Sequence, residues 1–205
     1  MHETDQSPEE FWEEFYGGDH PWTGRVNQLV AAELGARPLT PGTALDLGCG
    51  TGADAVWLAQ QGWTTTGVDV AEAALVRARE AAEEAGVEVT WVRANLDDEI
   101  PEGPWNLVTA SFLHSPAALG RDGVLRRAAE QLAPGGTLLV TSHQRGPSWK
   151  EHDHAFLPTL EDVLASVDLP GLEVVHAQAY ELEATSPEGE VGTKVDTVVR
   201  VQRTS

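Results

Sequence analysis

Cysteine is nearly missing from this chain of 205 residues. Cys49 is the only one, which excludes an internal disulfide and a cysteine-based metal framework. Basic residues are scarce too: 13 Lys and Arg face 33 Asp and Glu, for a formal charge of −20. Nucleic acid and anionic membranes are bound through Lys and Arg, so this balance argues against both as partners. Arg121, Arg126 and Arg127 form the one local basic run, and a solvated helix face accounts for it. No apolar run approaches the ~20 residues that span a bilayer. The opening MHETDQSPEE is acidic and polar, unlike a secretory signal, so a cytoplasmic protein is expected. With 41% hydrophobic residues, the chain has enough apolar material for one α/β core.

What is present concentrates in residues 43–52, TALDLGCGTG. A short apolar run carries Asp46 near its end. Gly48, Gly50 and Gly52 follow at every second position, and an amphipathic stretch covers 53–61. This reads as strand, tight turn and helix. Glycine lets the backbone turn sharply and lets a ligand approach it, since no Cβ intervenes. The helix N-terminus that follows favours negative charge. Gly48-x-Gly50-x-x-Ala53 also satisfies the dinucleotide fingerprint, and a plain glycine loop in a parallel sheet would look alike. Two features narrow the choice. TTTGVDV, 64–70, reads as a second strand carrying Asp69, roughly 20 residues past the turn, where an acid holds a ribose diol. WVRANLDD, 91–98, closes a third strand with a polar cluster.

Along the chain, 11–16 predicts a short aromatic helix and 26–34 a second helix, with Asn27 as a cap. Strands are expected at 43–47, 64–70, 87–94, 105–112 and 137–143, and helices at 53–61, 71–85 and 120–133. Pro134-Gly135-Gly136 is expected to stop a helix and open the fifth strand. The alternation implies a parallel sheet covered on both faces. Residues 159–167 predict a helix capped by Thr159. Two strand-like runs, 172–183 and 193–203, are joined by the turn SPEGE without a helix, so they form an antiparallel hairpin. A single domain, 1–205, is expected, with 1–40 as an N-terminal helical cap or lid.

From about Thr43 to Thr141 this series of motifs resembles the class I S-adenosylmethionine-dependent methyltransferases. The resemblance implies a Rossmann-like sheet of order 3-2-1-4-5-7-6 with strand 7 reversed. It implies S-adenosylmethionine as cofactor and a small-molecule acceptor with a thiol, chalcogen, oxygen or nitrogen nucleophile. It places Asp46 near the methionine end of the cofactor and Gly48, Cys49, Gly50 and Gly52 in the turn beneath it. Asp69 would accept from both ribose hydroxyls, and Val70 would lie against adenine. Asn95-Leu96 stand where the family usually has an acid and a small or apolar residue, so Asn95 keeps an acceptor for the adenine amine without the charge. Ala110 and Ser111 would meet the methionine amino group. Beyond them, His114 and His143 are the candidate catalytic bases.

The segment FWEEFYGGDHPWTGRVNQLV resembles the leading cap of small-molecule methyltransferases, including tellurite-resistance and thiopurine types. Trp12, Tyr16 and Trp22 would close over the cofactor, where an aromatic face attracts a sulfonium. Arg25 would meet the cofactor carboxylate or an anionic acceptor. The alternative is that these aromatics pack the first helix onto the sheet. His152-x-His154 has weak metal spacing and no metal is expected. Two other functions remain open: an NAD(P)-dependent oxidoreductase, which the glycine spacing and Asp69 also fit, and a non-catalytic S-adenosylmethionine-binding protein.

Overall fold

Residues 6–18, 24–149, 157–186 and 188–204 are described in the structure, a computed structural model. Two helices lead, α1 (Pro8–Gly17) and α2 (Gln28–Ala36). An alternating series follows: β1 (Thr43–Leu47), α3 (Ala53–Gln60), β2 (Thr64–Asp69), α4 (Glu72–Ala85), β3 (Val89–Arg93), β4 (Trp105–Ser111), α5 (Arg121–Glu130) and β5 (Leu132–Arg145). The chain then adds α6 (Leu160–Ser166), β6 (Leu172–Thr185) and β7 (Val191–Arg203). One sheet of seven strands results, ordered β3-β2-β1-β4-β5-β7-β6. All pairings from β3 to β5 are parallel, and β7 runs antiparallel to both β5 and β6. The expected order and the terminal hairpin are both present.

Period-two burial divides the sheet between two cores. Leu45, Leu47, Val108, Ala110, Leu138, Val140, Val199 and Val201 face one side, with Val124, Leu125, Ala128 and Val163 from α5 and α6. Ala44, Leu107, Leu139 and Val198, one register step away, face the other with Val30 and Leu34 of α2 and Leu58 of α3. Helix α2 is therefore part of the sheet's cover, and only α1 of the expected cap region stands apart from it. Asn27 caps α2 as expected, accepting from the Leu29 N–H. Buried Glu33 ties α2 to β7 through Arg200 at 3.4 Å and pairs within the helix with Arg37 at 2.8 Å.

Several boundaries differ from the sequence reading, and two of the differences have a visible cause. Helix α1 starts at Pro8 because Ser7 and Glu10 form a capping box and Pro8 takes the first turn. Helix α5 ends at Glu130, and β5 begins at Leu132, ahead of the Pro134-Gly135-Gly136 signal. Trp105 pairs with Leu132, but Leu107 pairs with Thr137, so the signal marks a bulge inside β5. A Cβ at Gly136 would sit 2.6 Å from the Trp105 carbonyl oxygen, which explains glycine there.

Candidate active site

The carboxyl ends of β1, β2, β3 and β4 open onto a cavity of about 790 Å³. At its floor the chain leaves β1 through Gly48 (φ 65°) and Gly50 (φ 52°) and enters α3 through Gly52 (φ 82°), all in the left-handed region. The Cys49 N–H donates to the Val68 carbonyl at 2.9 Å. Asp69 fixes the turn from the side, accepting from the Gly50 N–H at 2.8 Å and the Ala71 N–H at 3.0 Å. Gly48, Cys49, Gly50, Asp69 and Val70 all line the cavity. Gly52 does not. A Cβ there would strike Trp91 and Ala78, so close packing against β3 and α4 requires glycine at this position. Ala110, expected beside the methionine amine, is fully buried in the core, and Ser111 takes the lining position.

Three carboxylates lie in or against this floor. Asp46 is buried and accepts from Thr109 Oγ1 at 2.8 Å. Asp54, at the start of α3, was not legible from sequence. It accepts from the Asn27 backbone N–H and from Ser111 Oγ, both at 2.6 Å, and so joins the lead of α2 to the end of β4. Burial raises the pKa of Asp46, Asp54 and Asp69 alike, and at Asp46 the charge of Asp54 adds to it. Hydrogen bonds to the three come from hydroxyls and backbone N–H groups. A ligand carrying positive charge would be stabilised here. Burial, followed by the charges of Asp69 and Asp46, raises the Cys49 thiol too, which keeps it protonated and unreactive.

Helix α1 lies across the cavity where β2 and β3 end. Trp12 Nε1 donates to Ser115 Oγ at 3.1 Å, and the Ala73 N–H donates to Glu13 at 3.2 Å. Arg77 donates to the Gly18 carbonyl at 3.0 Å. Asn95 donates from Nδ2 to Glu9 at 3.1 Å and accepts at Oδ1 from the Asp97 N–H at 3.0 Å. Its side chain is thus bound to α1 and to its own turn, while Asn95 and Leu96 both line the cavity. Tyr16 is buried over the glycine turn, its hydroxyl 2.7 Å from where a Cβ of Gly50 would be. Burial and then the charge of Asp69 raise its pKa, so the phenol stays protonated. Trp12 and Arg25 line the cavity. Trp22 and the His152-x-His154 pair lie outside the described residues.

Past Ser111 the cavity continues to Phe112, His114, Leu182, Glu183, Lys194 and Asp196. Phe112 has φ 52°, a strained value for a side chain of this size. Its ring stacks on His143 with centroids 3.9 Å apart. His114 does not suit the expected base role. Its Nε2 accepts from the His143 backbone N–H at 3.1 Å, and burial, then His143, lowers its pKa to about 3. It is a neutral strut for β5. His143 is placed differently: Nδ1 meets Asp196 Oδ1 at 2.7 Å, and Lys194 Nζ holds the other oxygen at 2.7 Å. Neither Asp196 nor Lys194 stood out in the sequence, since His143 and Phe112, which they meet, come from other parts of the chain. Among the described residues no cluster of three or more potential metal ligands occurs.

A methyltransferase-domain family model matches residues 44–136. The ribosomal RNA small subunit methyltransferase C of Alcanivorax borkumensis is 32% identical over 140 residues, 65% of this chain and 43% of that protein. The curated relatives are longer, and the matches span 43% to 54% of their length. Among solved structures, one from work on converting a disulfide bond into a thioacetal group in echinomycin biosynthesis superposes with a TM-score of 0.74. It is 21% identical, with 95% of this chain and 91% of that one covered. N-methyltransferase NodS of Bradyrhizobium japonicum, in complex with S-adenosyl-L-homocysteine, gives 0.70 at 16% identity over 98% and 100% of the two chains. At these identities the structural likeness speaks to fold.

Proposed function

We propose, from the premise that the chain belongs to the class I S-adenosylmethionine-dependent methyltransferases, that it moves the cofactor's methyl group onto a small-molecule acceptor. The cavity carries this reading. It is one continuous space that holds the glycine turn and Asp69 at one end and Phe112, Lys194 and Asp196 at the other. S-adenosylmethionine would supply an electrophilic methyl on a sulfonium, with S-adenosylhomocysteine as the leaving group. Asp69 retains lone pairs for the ribose hydroxyls beyond the two N–H bonds it accepts. Asp46 and Asp54, both buried against the cavity, would give the ammonium and sulfonium a negative counterpart. Tyr16 and Trp12 close the ribose and adenine side.

The chain's contribution to the reaction is alignment. An acceptor lone pair must approach the methyl in line with the bond to sulfur, and a walled cavity restricts it to that line. Enclosure beneath α1 and a formal charge of −20 favour a small acceptor over a nucleic acid, even though one relative is named for ribosomal RNA. The nicotinamide alternative loses ground on topology, since β7 runs against a sheet that a dinucleotide fold keeps mostly parallel. Calorimetric titration with S-adenosylmethionine and with NADH, followed by a tritiated-methyl assay against phenols, thiols and amines, tests the reading. Binding of the first alone, with label in a small product, is expected. Tight NADH binding without S-adenosylmethionine binding would overturn it.

A further inference from the structure

Lysine occurs twice in this chain, as Lys150 and Lys194, among 33 acidic residues. Lys194 lines the cavity beside Phe112, at the end away from the glycine turn. On β7 it lies directly across from Leu182 of β6, which lines the same space. Its Nζ is 2.7 Å from Asp196 Oδ2 and 5.7 Å from the centre of the Phe112 ring. Asp196, two residues on along the same face of β7, is buried, and its other oxygen meets His143 Nδ1 at 2.7 Å. Burial raises the Asp196 pKa, but the hydrogen bonds from His143 and Lys194 outweigh it, so the carboxyl stays ionised. Both of its oxygens are engaged within the fold. The ammonium keeps donors to spare: it has three, and among the described residues Asp196 and Phe112 are its partners. With 27% of the side chain exposed, N–H groups remain for a ligand at this wall. Phe112 is also the one non-glycine residue held at positive φ among those described, which fixes its ring at the same wall.

We infer that Lys194 reads the acceptor: it receives a carboxylate carried by a small apolar acceptor whose body packs on Phe112 and Leu182. The inference rests on the methyltransferase reading and adds the acceptor class to it. A carboxylate at Lys194 gains charge-assisted hydrogen bonds from a partly desolvated ammonium, and an ammonium on a competing molecule is repelled there. The cavity is graded in charge. Asp46, Asp54 and Asp69 gather at the cofactor end, where S-adenosylmethionine would bring a sulfonium and an ammonium. Lys194 stands at the far end. A cationic cofactor and an anionic acceptor are therefore each drawn to their own end, and the acceptor's nucleophile is turned towards the methyl. The other charged and titratable groups at this end do not cancel Lys194. Asp196 is already held by two partners. His114, whose pKa burial and then His143 lower to about 3, is neutral. Glu183 lines the cavity too, but it follows Leu182 in β6 and so points to the opposite face, where it is exposed and screened by water. Arg25 is a second cation in the lining. A lysine that only neutralised Asp196 would make the same ion pair, and the two roles differ in what a neutral residue at 194 does to acceptor choice.

The test uses benzoate and phenylacetate, each against its uncharged amide, on wild type, Lys194→Gln and Lys194→Arg saturated with S-adenosylhomocysteine. Calorimetry is expected to show at least one acid bound about 10- to 100-fold more tightly than its amide by wild type. Lys194→Gln should erase that preference, and Lys194→Arg should keep most of it. Binding of S-adenosylhomocysteine by each variant confirms that it is folded. A merely structural lysine would lower the melting temperature in Lys194→Gln and leave the ratio of acid to amide affinity unchanged. Acids bound no better than their amides by wild type, or a preference that survives Lys194→Gln, would overturn the inference. A spectroscopic readout is independent of the cofactor. With lysine labelled at ¹³Cε the chain gives two lysine signals, and the one missing from Lys194→Gln should move on adding the acid and not the amide. A signal that stays in place would also overturn it. Wild type that binds no S-adenosylhomocysteine defeats the family reading, and the lysine signal still decides the anion seat.

Discussion

Asp69 serves the fold and the ligand with one carboxylate. Its bonds to the Gly50 and Ala71 N–H groups hold the turn in shape before any ribose is bound. Asp69→Ala should therefore lower thermal stability and cut S-adenosylmethionine affinity by at least an order of magnitude, at about 1.5–3 kcal/mol for each charged hydrogen bond. Wild-type affinity in a calorimetric titration would remove Asp69 from the site. Asp46 is the opposite case. It is buried as a carboxylate whose ionised form the site disfavours. Asp46→Asn should raise the melting temperature of the cofactor-free protein and weaken cofactor binding together. A fall in both would mean that the charge supports the fold. Spacing in TALDLGCGTG made Asp46 and Asp69 legible, because strand, turn and second acid follow one another along the chain. At Gly52 it is Trp91 and Ala78 that leave no room for a Cβ, a constraint the spacing did not reveal. Asp54 was hidden, because its partners Asn27 and Ser111 lie 27 and 57 residues away.

Helices α1 and α2 were read as one cap, and the structure separates them. Helix α2 contributes Val30 and Leu34 to a core and carries Glu33 to Arg200, so it cannot lift. Removing Glu33 takes a carboxylate from Arg200, Arg37 and His176 together and leaves the buried Arg200 guanidinium with the Arg37 carbonyl but no counter-charge from α2. Glu33→Ala should cost about 3–5 kcal/mol, while Glu33→Leu with Arg200→Met should recover most of it, read by urea denaturation. A double variant as unstable as the single would assign the loss to packing. Helix α1 is different. It packs Trp12, Phe15 and Tyr16 on Ala71, Ala73 and Ala74 at the start of α4 and adds hydrogen bonds of Trp12, Glu9 and Glu13, with no share in either sheet core. We propose that it is the lid. Amide exchange across residues 8–17 should slow markedly when S-adenosylhomocysteine is added, and Trp12→Ala should remove much of that protection. Exchange unchanged by the ligand would make α1 a fixed packing element. The sequence showed the aromatic helix but not which of two helices was fastened, since the fastening residue Arg200 comes 167 positions after Glu33.

Across the whole molecule, alternation of strand and helix made the parallel sheet legible and the helix-free link before β7 made the hairpin legible, while the strand order followed only from the resemblance to the methyltransferases. Charge was legible too, but not its distribution. The formal charge of −20 is spread over solvated faces, while Asp46, Asp54 and Asp69 converge under one cavity. That convergence sets a pH dependence. A carboxyl whose pKa is raised by folding keeps its proton in the folded chain at a pH where the unfolded chain has released it. The unfolded state then binds fewer protons, so stability falls as pH rises from the ordinary carboxylate value of about 4 through the raised values. Asp196 works in reverse: its lowered pKa adds stability above the ordinary value that is lost on further acidification. The three floor carboxyls therefore favour the acid side of neutrality in the cofactor-free protein, while His114, whose pKa folding lowers to about 3, opposes them: below the ordinary histidine value of about 6.5 the unfolded imidazole takes a proton that the folded one does not. Relief of net-charge repulsion predicts the same trend, and two controls separate them. Asp46→Asn should flatten the curve far more than its single charge among 33 acids would. The gain in melting temperature from saturating S-adenosylmethionine should shrink on acidification, because protonated Asp46 and Asp54 no longer attract a cation. Melting curves from about pH 4 to 8, with and without the cofactor, measure both. A cofactor-induced gain that grows as the pH is lowered would mean that these buried acids do not face its positive charge.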